Sequence, residues 1–250
     1  MGPLQLAIYG VVGFFMSILS GIAGAGGGLV MTPLSIFLGM PPASAVASGK
    51  FNGIALTIGS LTELRHYHTR ATKRRIIAIM LLALVIGLGV PVVIKSFDSR
   101  YYRLALGTIL LIILPLLYYR RVGMRAFDPT PLQKVLGVIF LPTSFIIEGI
   151  FSSGAGVITS VVLTGLFGQT TTEAQITRRW AQITLNVAIV LSLLTSGLIF
   201  WSLAIVGAVS SLLGSMIGAR LAIKEGDIFA THVLLGLTAV SAVAIIISSL

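Results

Sequence analysis

Lys50, Arg178 and Arg179 are the side chains best placed to do chemistry in this sequence. Each lies six or seven residues inside a long apolar run, about 10 Å in at the rise of an α-helix. A charge at that depth is costly unless it is paired or faces a polar cavity. Two readings are open: the long side chains snorkel to an interface, or they supply fixed positive charge along an anion path. Neither Lys50 nor Arg179 has an adjacent acidic neighbour. On the second reading Arg179 suits bidentate recognition of an oxyanion, and Lys50 acts as a point charge.

Polar residues accompany these cations. Gln182 and Asn186 follow Arg179 by three and seven positions, on a similar helix face. Asn52, Thr57 and Ser60 lie along the run that holds Lys50, and Thr177 precedes the arginine pair. Glu148 is the one acidic residue deep in a hydrophobic run. It reads either as an ion-pair partner of Lys50 or an arginine, or as a proton-coupling carboxylate whose affinity for protons burial would raise.

Glycines form the second constellation. Gly26, Gly27 and Gly28 open one short apolar piece, and Gly154 and Gly156 open another. A broken helix exposes backbone N–H groups where its second half begins, and the helix dipole adds positive potential there. Both breaks therefore suit an anion. The competing reading is close helix packing, for which small residues are also used.

The elements that carry these residues follow from composition. The 250 residues are 56% hydrophobic, with 17 basic and 7 acidic side chains. No charge occurs from residue 2 to 49 or from 180 to 219. So few charges cannot cover a globular surface, which excludes a soluble enzyme, a nucleic-acid binder and a disordered chain. The expected fold is an all-α polytopic membrane protein in a lipid bilayer. Glycine, proline and charge divide it into pieces 4–23, 27–38, 43–65, 74–95, 100–119, 132–151, 156–168, 172–196, 200–222 and 228–249. Eight are long enough to cross a bilayer; 27–38 and 156–168 are not.

The pieces repeat. Gly21, Gly26 and Gly28 map onto Gly149, Gly154 and Gly156 at an offset of 128. Beyond one inserted residue, Gly39, Ala45, Ser48, Lys50 and Phe51 map onto Gly168, Ala174, Thr177, Arg179 and Trp180 at 129. We expect two repeats, residues 1–125 and 126–250, in one membrane domain. If all ten pieces cross, eleven loop cations fall on one side and three on the other. The positive-inside rule makes the eleven cytoplasmic and puts both termini outside. Five pieces per repeat then invert the second half relative to the first, a recurring plan among secondary transporters. Re-entrant short pieces would instead leave the halves parallel.

No cysteine is present, the three histidines have no carboxylate pair at metal-ligand spacing, and no Walker motif occurs. No enzymatic activity, catalytic residue, cofactor, metal or nucleic-acid partner is expected. Gly207, Ser211, Gly214 and Gly218 are suited to pack another helix, of this chain or of a second copy.

The run Gly21-Ile22-Ala23-Gly24-Ala25-Gly26-Gly27-Gly28-Leu29-Val30-Met31-Thr32-Pro33-Leu34 resembles the glycine-rich signature of the sulfite exporter TauE/SafE family. So does Gly39-Met40-Pro41-Pro42-Ala43-Ser44-Ala45-Val46-Ala47-Ser48. Near the C-terminus, Gly197-Leu198-Ile199-Phe200-Trp201 and the run from Gly214 to Ala222 are similar to the family's closing pattern. The resemblance implies a cytoplasmic-membrane transporter that moves sulfite, sulfonates or related small sulfur anions. An inverted-repeat transporter for neutral metabolites, or a membrane subunit that transports nothing, is the alternative.

Overall fold

The computed structural model describes residues 2–24, 28–65, 67, 69, 71–96, 124–151 and 156–247. Every regular element among them is helical. In order they are α1 (Pro3–Ala23), α2 (Gly28–Phe37), α3 (Pro42–Leu64), α4 (Lys73–Ser96), α5 (Pro131–Phe151), α6 (Gly156–Leu166), α7 (Thr171–Leu193), a 3-10 turn (Leu194–Ser196) and α8 (Trp201–Ile247). The run 100–119, and with it the fifth expected piece, lies outside the described residues.

The boundaries carry the duplication. Residues 3 and 23 bound α1, and 131 and 151 bound α5, an offset of 128 at both ends. The short helices begin at 28 and 156, again 128 apart. The ends of α3, 42 and 64, match those of α7, 171 and 193, at 129. The starts of α4 and α8, 73 and 201, return to 128. Local chemistry repeats as well: α1 and α5 both open with proline, and Gln5 and Gln133 each reach back to the backbone N–H three residues earlier. Both short helices end before a left-handed glycine, Gly39 (φ 93°) and Gly168 (φ 68°). Glycine takes that conformation without a Cβ penalty.

Four of these helices are both long and apolar enough to span a bilayer: Pro3–Ala23, Lys73–Val92, Pro131–Ile150 and Trp201–Leu237. One of the eight expected spans, 100–119, lies outside the described residues, and the other differences have physical reasons. The run 200–222 and the described part of the run 228–249 are two arms of α8, joined across a break at Gly226 (φ 85°, ψ 178°). The helices α3 and α7 have the length, but their polar residues make them too hydrophilic to read as lipid-facing spans. They lie inside. Seventeen of the 23 residues of α7 are buried, including Glu173, Gln175, Arg178, Arg179, Gln182 and Asn186. The outer helices instead expose large apolar side chains such as Val11, Phe15, Val85, Val92, Val138 and Ile139.

Packing respects the same exchange of halves. The helix α1 packs on α8 as α5 packs on α4, and α3 packs on α8 as α7 packs on α4. Individual contacts follow. Gly21 lies against Gly218, and their counterparts Gly149 and Val90 lie against each other. Gly59 lies against Ser215, and their counterparts Ala188 and Gly87 also meet. Gly207 lies against Asn52 of α3, while Gly214 and Gly218 lie against the α1 backbone. Ser211 is within 3.3 Å of Ser17. That small-residue stripe therefore packs helices of its own chain, whose backbones come close because no side chain intervenes.

The turns collect at two ends. At one, Phe127 N–H donates to the Gly168 carbonyl at 3.1 Å, Thr172 N–H donates to Asp227 Oδ1 at 2.7 Å, and Arg220 pairs with Glu63 at 2.9 Å. At the other, Phe200 N–H donates to Ser48 Oγ at 3.0 Å beside the buried cluster of Tyr9, Met31, Met40, Ala45 and Leu203. The described parts of the basic loops expected on one side of the membrane, Arg65 and Arg220 among them, belong to the first end.

Candidate functional site

The site forms where α1 and α5 stop. The polar faces of α3 and α7 pass both stops, because the interior helices must place their hydrophilic residues somewhere other than lipid. Lys50, Arg178, Arg179 and Glu148 meet there, all between 0% and 4% exposed. None of the three cations reaches an interface, so snorkelling is not what they do.

Their partners are specific. Lys50 Nζ donates to the backbone carbonyl of Glu148 at 2.7 Å. Arg179 Nη2 donates to the Ser20 carbonyl at 2.9 Å, and its Nη1 donates to Gln182 Oε1 at 3.0 Å. Arg178 holds the Glu148 carboxylate from two nitrogens, Nη2 to Oε1 at 2.5 Å and Nε to Oε2 at 3.2 Å, and its Nη1 donates to the Gly24 carbonyl. Thr159 Oγ1, in the first turn of α6, donates to Glu148 Oε2 at 2.8 Å. Gln175 Nε2 donates to the Ile22 carbonyl at 2.5 Å. Gln175 and Arg178 thus satisfy two carbonyls, Ile22 and Gly24, at the C-terminus of α1, where a helix leaves its acceptors unpaired and carries negative potential; Arg179 adds a second donor to the Ser20 carbonyl, which also accepts from Gly24 N–H at 2.9 Å.

The charge does not balance within this group. Three cations face one carboxylate, and Glu148 is matched by Arg178. Lys50 and Arg179 are held by carbonyl dipoles, and Arg179 Nε has no hydrogen-bond partner although it is buried. Buried charge of one sign is expensive in a low-dielectric interior, and a bound anion is one form of compensation. The starts of α2 and α6, at Gly28 and Gly156, lie just beyond the two capped ends and add helix N-termini to the same region.

The sequence-predicted residues divide into groups. Lys50, Glu148, Arg178, Arg179 and Gln182 come together. Asn186 lies on the same face of α7, a little further along, where its side chain sits on Gly53 of α3; a methyl group on Gly53 would lie 2.6 Å from Asn186 Nδ2. Thr57 Oγ1 lies 3.3 Å from Gln182 Oε1. Gly28 and Gly156 begin their helices, and Gly156 is buried. Gly26, Gly27 and Gly154 lie outside the described residues. Asn52 is separate: its Nδ2 donates to Tyr9 Oη at 3.0 Å, in the cluster near the other end of α1. Two residues from Lys50 is about 200° around a helix, so the two side chains leave opposite faces.

Sequence reasoning missed Gln175, Thr159 and Tyr9. Gln175 was findable, since it precedes Arg178 by three positions on the same polar face. Thr159 and Tyr9 carry no such signal, and the counterpart of Tyr9 at the 128 offset is Gly137. Among the described residues no group of three or more His, Cys, Asp or Glu side chains is arranged to hold a metal.

Comparison with known proteins agrees with this architecture. The chain is 29% identical over 224 residues to a probable membrane transporter protein of Haemophilus influenzae, covering 88% of this chain and 86% of that one. It is 23% identical over 227 residues to the probable membrane transporter protein ORF9 of a Sinorhizobium species, covering 88% and 84%. No solved structure matches. The family described as sulfite exporter TauE/SafE matches residues 9–245, nearly the whole sequence with both repeats and the buried basic group. The chain is a membrane transporter of the sulfite exporter TauE/SafE family.

Proposed function

We propose that this transporter moves a small sulfur-containing oxyanion, sulfite or a sulfonate, out of the cell across the cytoplasmic membrane. The observation that carries the reading is the excess of buried positive charge at Lys50 and Arg179, set beside the starts of α2 and α6. Sulfite and sulfonates present oxygens that accept from guanidinium, ammonium and backbone N–H groups alike. A neutral metabolite would leave those charges uncompensated. The family name supports the sulfur anion in particular.

The reading includes two inverted halves, residues 1–125 and 126–250, that rock about a shared site in alternating access. The exchange-related contacts support that arrangement. The end that gathers Arg65, Lys73, Arg74, Arg75, Arg125, Lys134, Arg220 and Lys224 faces the cytoplasm, and both termini face out. With a negative interior, a monoanion gains about 2.3 kcal/mol per 100 mV on leaving.

Purified protein in proteoliposomes tests this directly. Saturable flux of sulfite or an alkanesulfonate, with none of a neutral metabolite of similar size, is the expected result. Saturable flux of the neutral compound with no anion flux sinks the reading.

A further inference from the structure

We propose that Arg178 and Glu148 form a charge-neutral strut that positions the two broken helix ends, and that the transported anion is met by Lys50 and Arg179 without Arg178. The inference rests on the anion reading above and changes which of two adjacent arginines serves it.

Arg178 and Arg179 are one residue apart and equally buried, yet their surroundings differ. Every nitrogen of Arg178 has a protein partner, two of them on one carboxylate. Both oxygens of Glu148 are likewise occupied, Oε1 by Arg178 and Oε2 by Arg178 and Thr159. The pair consumes its own charge, and a bidentate guanidinium–carboxylate geometry is rigid as well as strong. Through these bonds it ties the end of α1 at Gly24, the last turn of α5 at Glu148 and the first turn of α6 at Thr159 to α7. Those are three of the four helix ends that flank the two breaks. Arg179, by contrast, keeps Nε without a partner and has no carboxylate in contact among the described residues.

The repeat separates the two roles independently. Lys50 and Arg179 are counterparts, so each half supplies one cation to the shared site. The counterpart of Arg178 is Gly49, and that of Glu148 is Ser20. Neither can form an ion pair. What the substrate needs from both halves has been kept in both; the strut exists once, as a support belonging to one half.

Four variants in the full-length chain decide between strut and ligand: Arg178→Gln, Glu148→Gln, the double variant, and Arg178→Lys. The readouts are KM and Vmax for sulfite flux, and the unfolding temperature in detergent without sulfite. Arg178→Gln leaves the Glu148 charge beside the site, so KM should rise at least tenfold. The double variant removes both charges, so KM should return to within threefold of the parent while Vmax and unfolding temperature stay low. Arg178→Lys keeps the charge without the span, so it should lower the unfolding temperature with KM within threefold. If KM in the double variant is as high as in Arg178→Gln, Arg178 touches the anion and the proposal fails. The unfolding temperatures judge the strut apart from any flux: losses that simply add in the double variant also overturn it. Absence of saturable sulfite flux in the parent protein counts against the anion reading alone.

Discussion

Lys50 and Arg179 make the same contact in opposite halves of the chain. Each donates to a carbonyl three residues before the end of the helix that precedes a glycine break, Lys50 to Glu148 at 2.7 Å and Arg179 to Ser20 at 2.9 Å. The donors are 129 apart and the acceptors 128 apart, as the repeat requires. Each cation therefore holds the end of the other half's helix while keeping charge available to a ligand between them.

Lys50→Gln and Arg179→Gln should consequently have similar effects. Each removes a charged hydrogen bond worth about 1.5–3 kcal/mol and one of the two unneutralised charges. We expect the KM for sulfite to rise at least tenfold in both, with a lower unfolding temperature. Unchanged flux in both variants contradicts the assignment.

Gly87 and Gly89 provide a paired test of helix packing. A methyl on Gly87 would lie 2.8 Å from the Leu185 carbonyl and from Ala188 Cβ, whereas one on Gly89 meets nothing within 4 Å. Overpacking costs about 1–3 kcal/mol, and alanine is favoured over glycine in a helix by up to about 1 kcal/mol. Gly87→Ala should lower the unfolding temperature while Gly89→Ala holds or raises it. Equal effects would mean that α4 and α7 do not approach as described.

Gly226 breaks α8 with φ 85° and ψ 178°, a conformation almost confined to glycine. Alanine there costs about 1–3 kcal/mol in strain. Gly226→Ala should destabilise the protein, or straighten the break and carry Asp227 away from Thr172. Because the chain contains no cysteine, a Thr172→Cys/Asp227→Cys pair reports that distance by cross-linking, and its yield should fall in the Gly226→Ala background.

Asp227 Oδ1 accepts from Thr172 N–H at 2.7 Å at the start of α7. Losing a cap of this kind costs about 0.5–2 kcal/mol. Asp227→Ala should lower the unfolding temperature, and Asp227→Asn, which keeps an acceptor, should lower it less. Thermal unfolding of the three proteins side by side is sufficient.

Much of this was legible in the residues. Glycine pattern and offset located the repeat to the residue, including the one-residue insertion, which the helix boundaries place within α6, one residue longer than α2. Depth in an apolar run singled out Lys50, Arg178, Arg179 and Glu148, which the fold does bring together. What stayed hidden was direction. The repeat offset pairs Arg179 with Lys50 and Arg178 with Gly49, but it does not say what each arginine touches; their azimuths, about 100° apart on α7, send one to a carboxylate and the other to a carbonyl. Asn52 was grouped with Lys50 by proximity along the chain, but helical geometry turns it toward Tyr9. Length shows that α3 and α7 can cross, and their polar residues place them inside the bundle and not against lipid.

The crossing of α3 and α7 has a consequence for how such a chain can evolve. Gly53 meets Asn186, and Thr57 meets Gln182; at the repeat offset each pair is the image of the other. Two separate identical subunits meeting there would be compelled to make the same pair twice, because a twofold interface sets residue i against j and j against i. Fusion of the copies lifts that constraint: one crossing now sets a glycine under an asparagine while its image joins a threonine to a glutamine, a divergence open only to a pseudo-dimer written in a single gene.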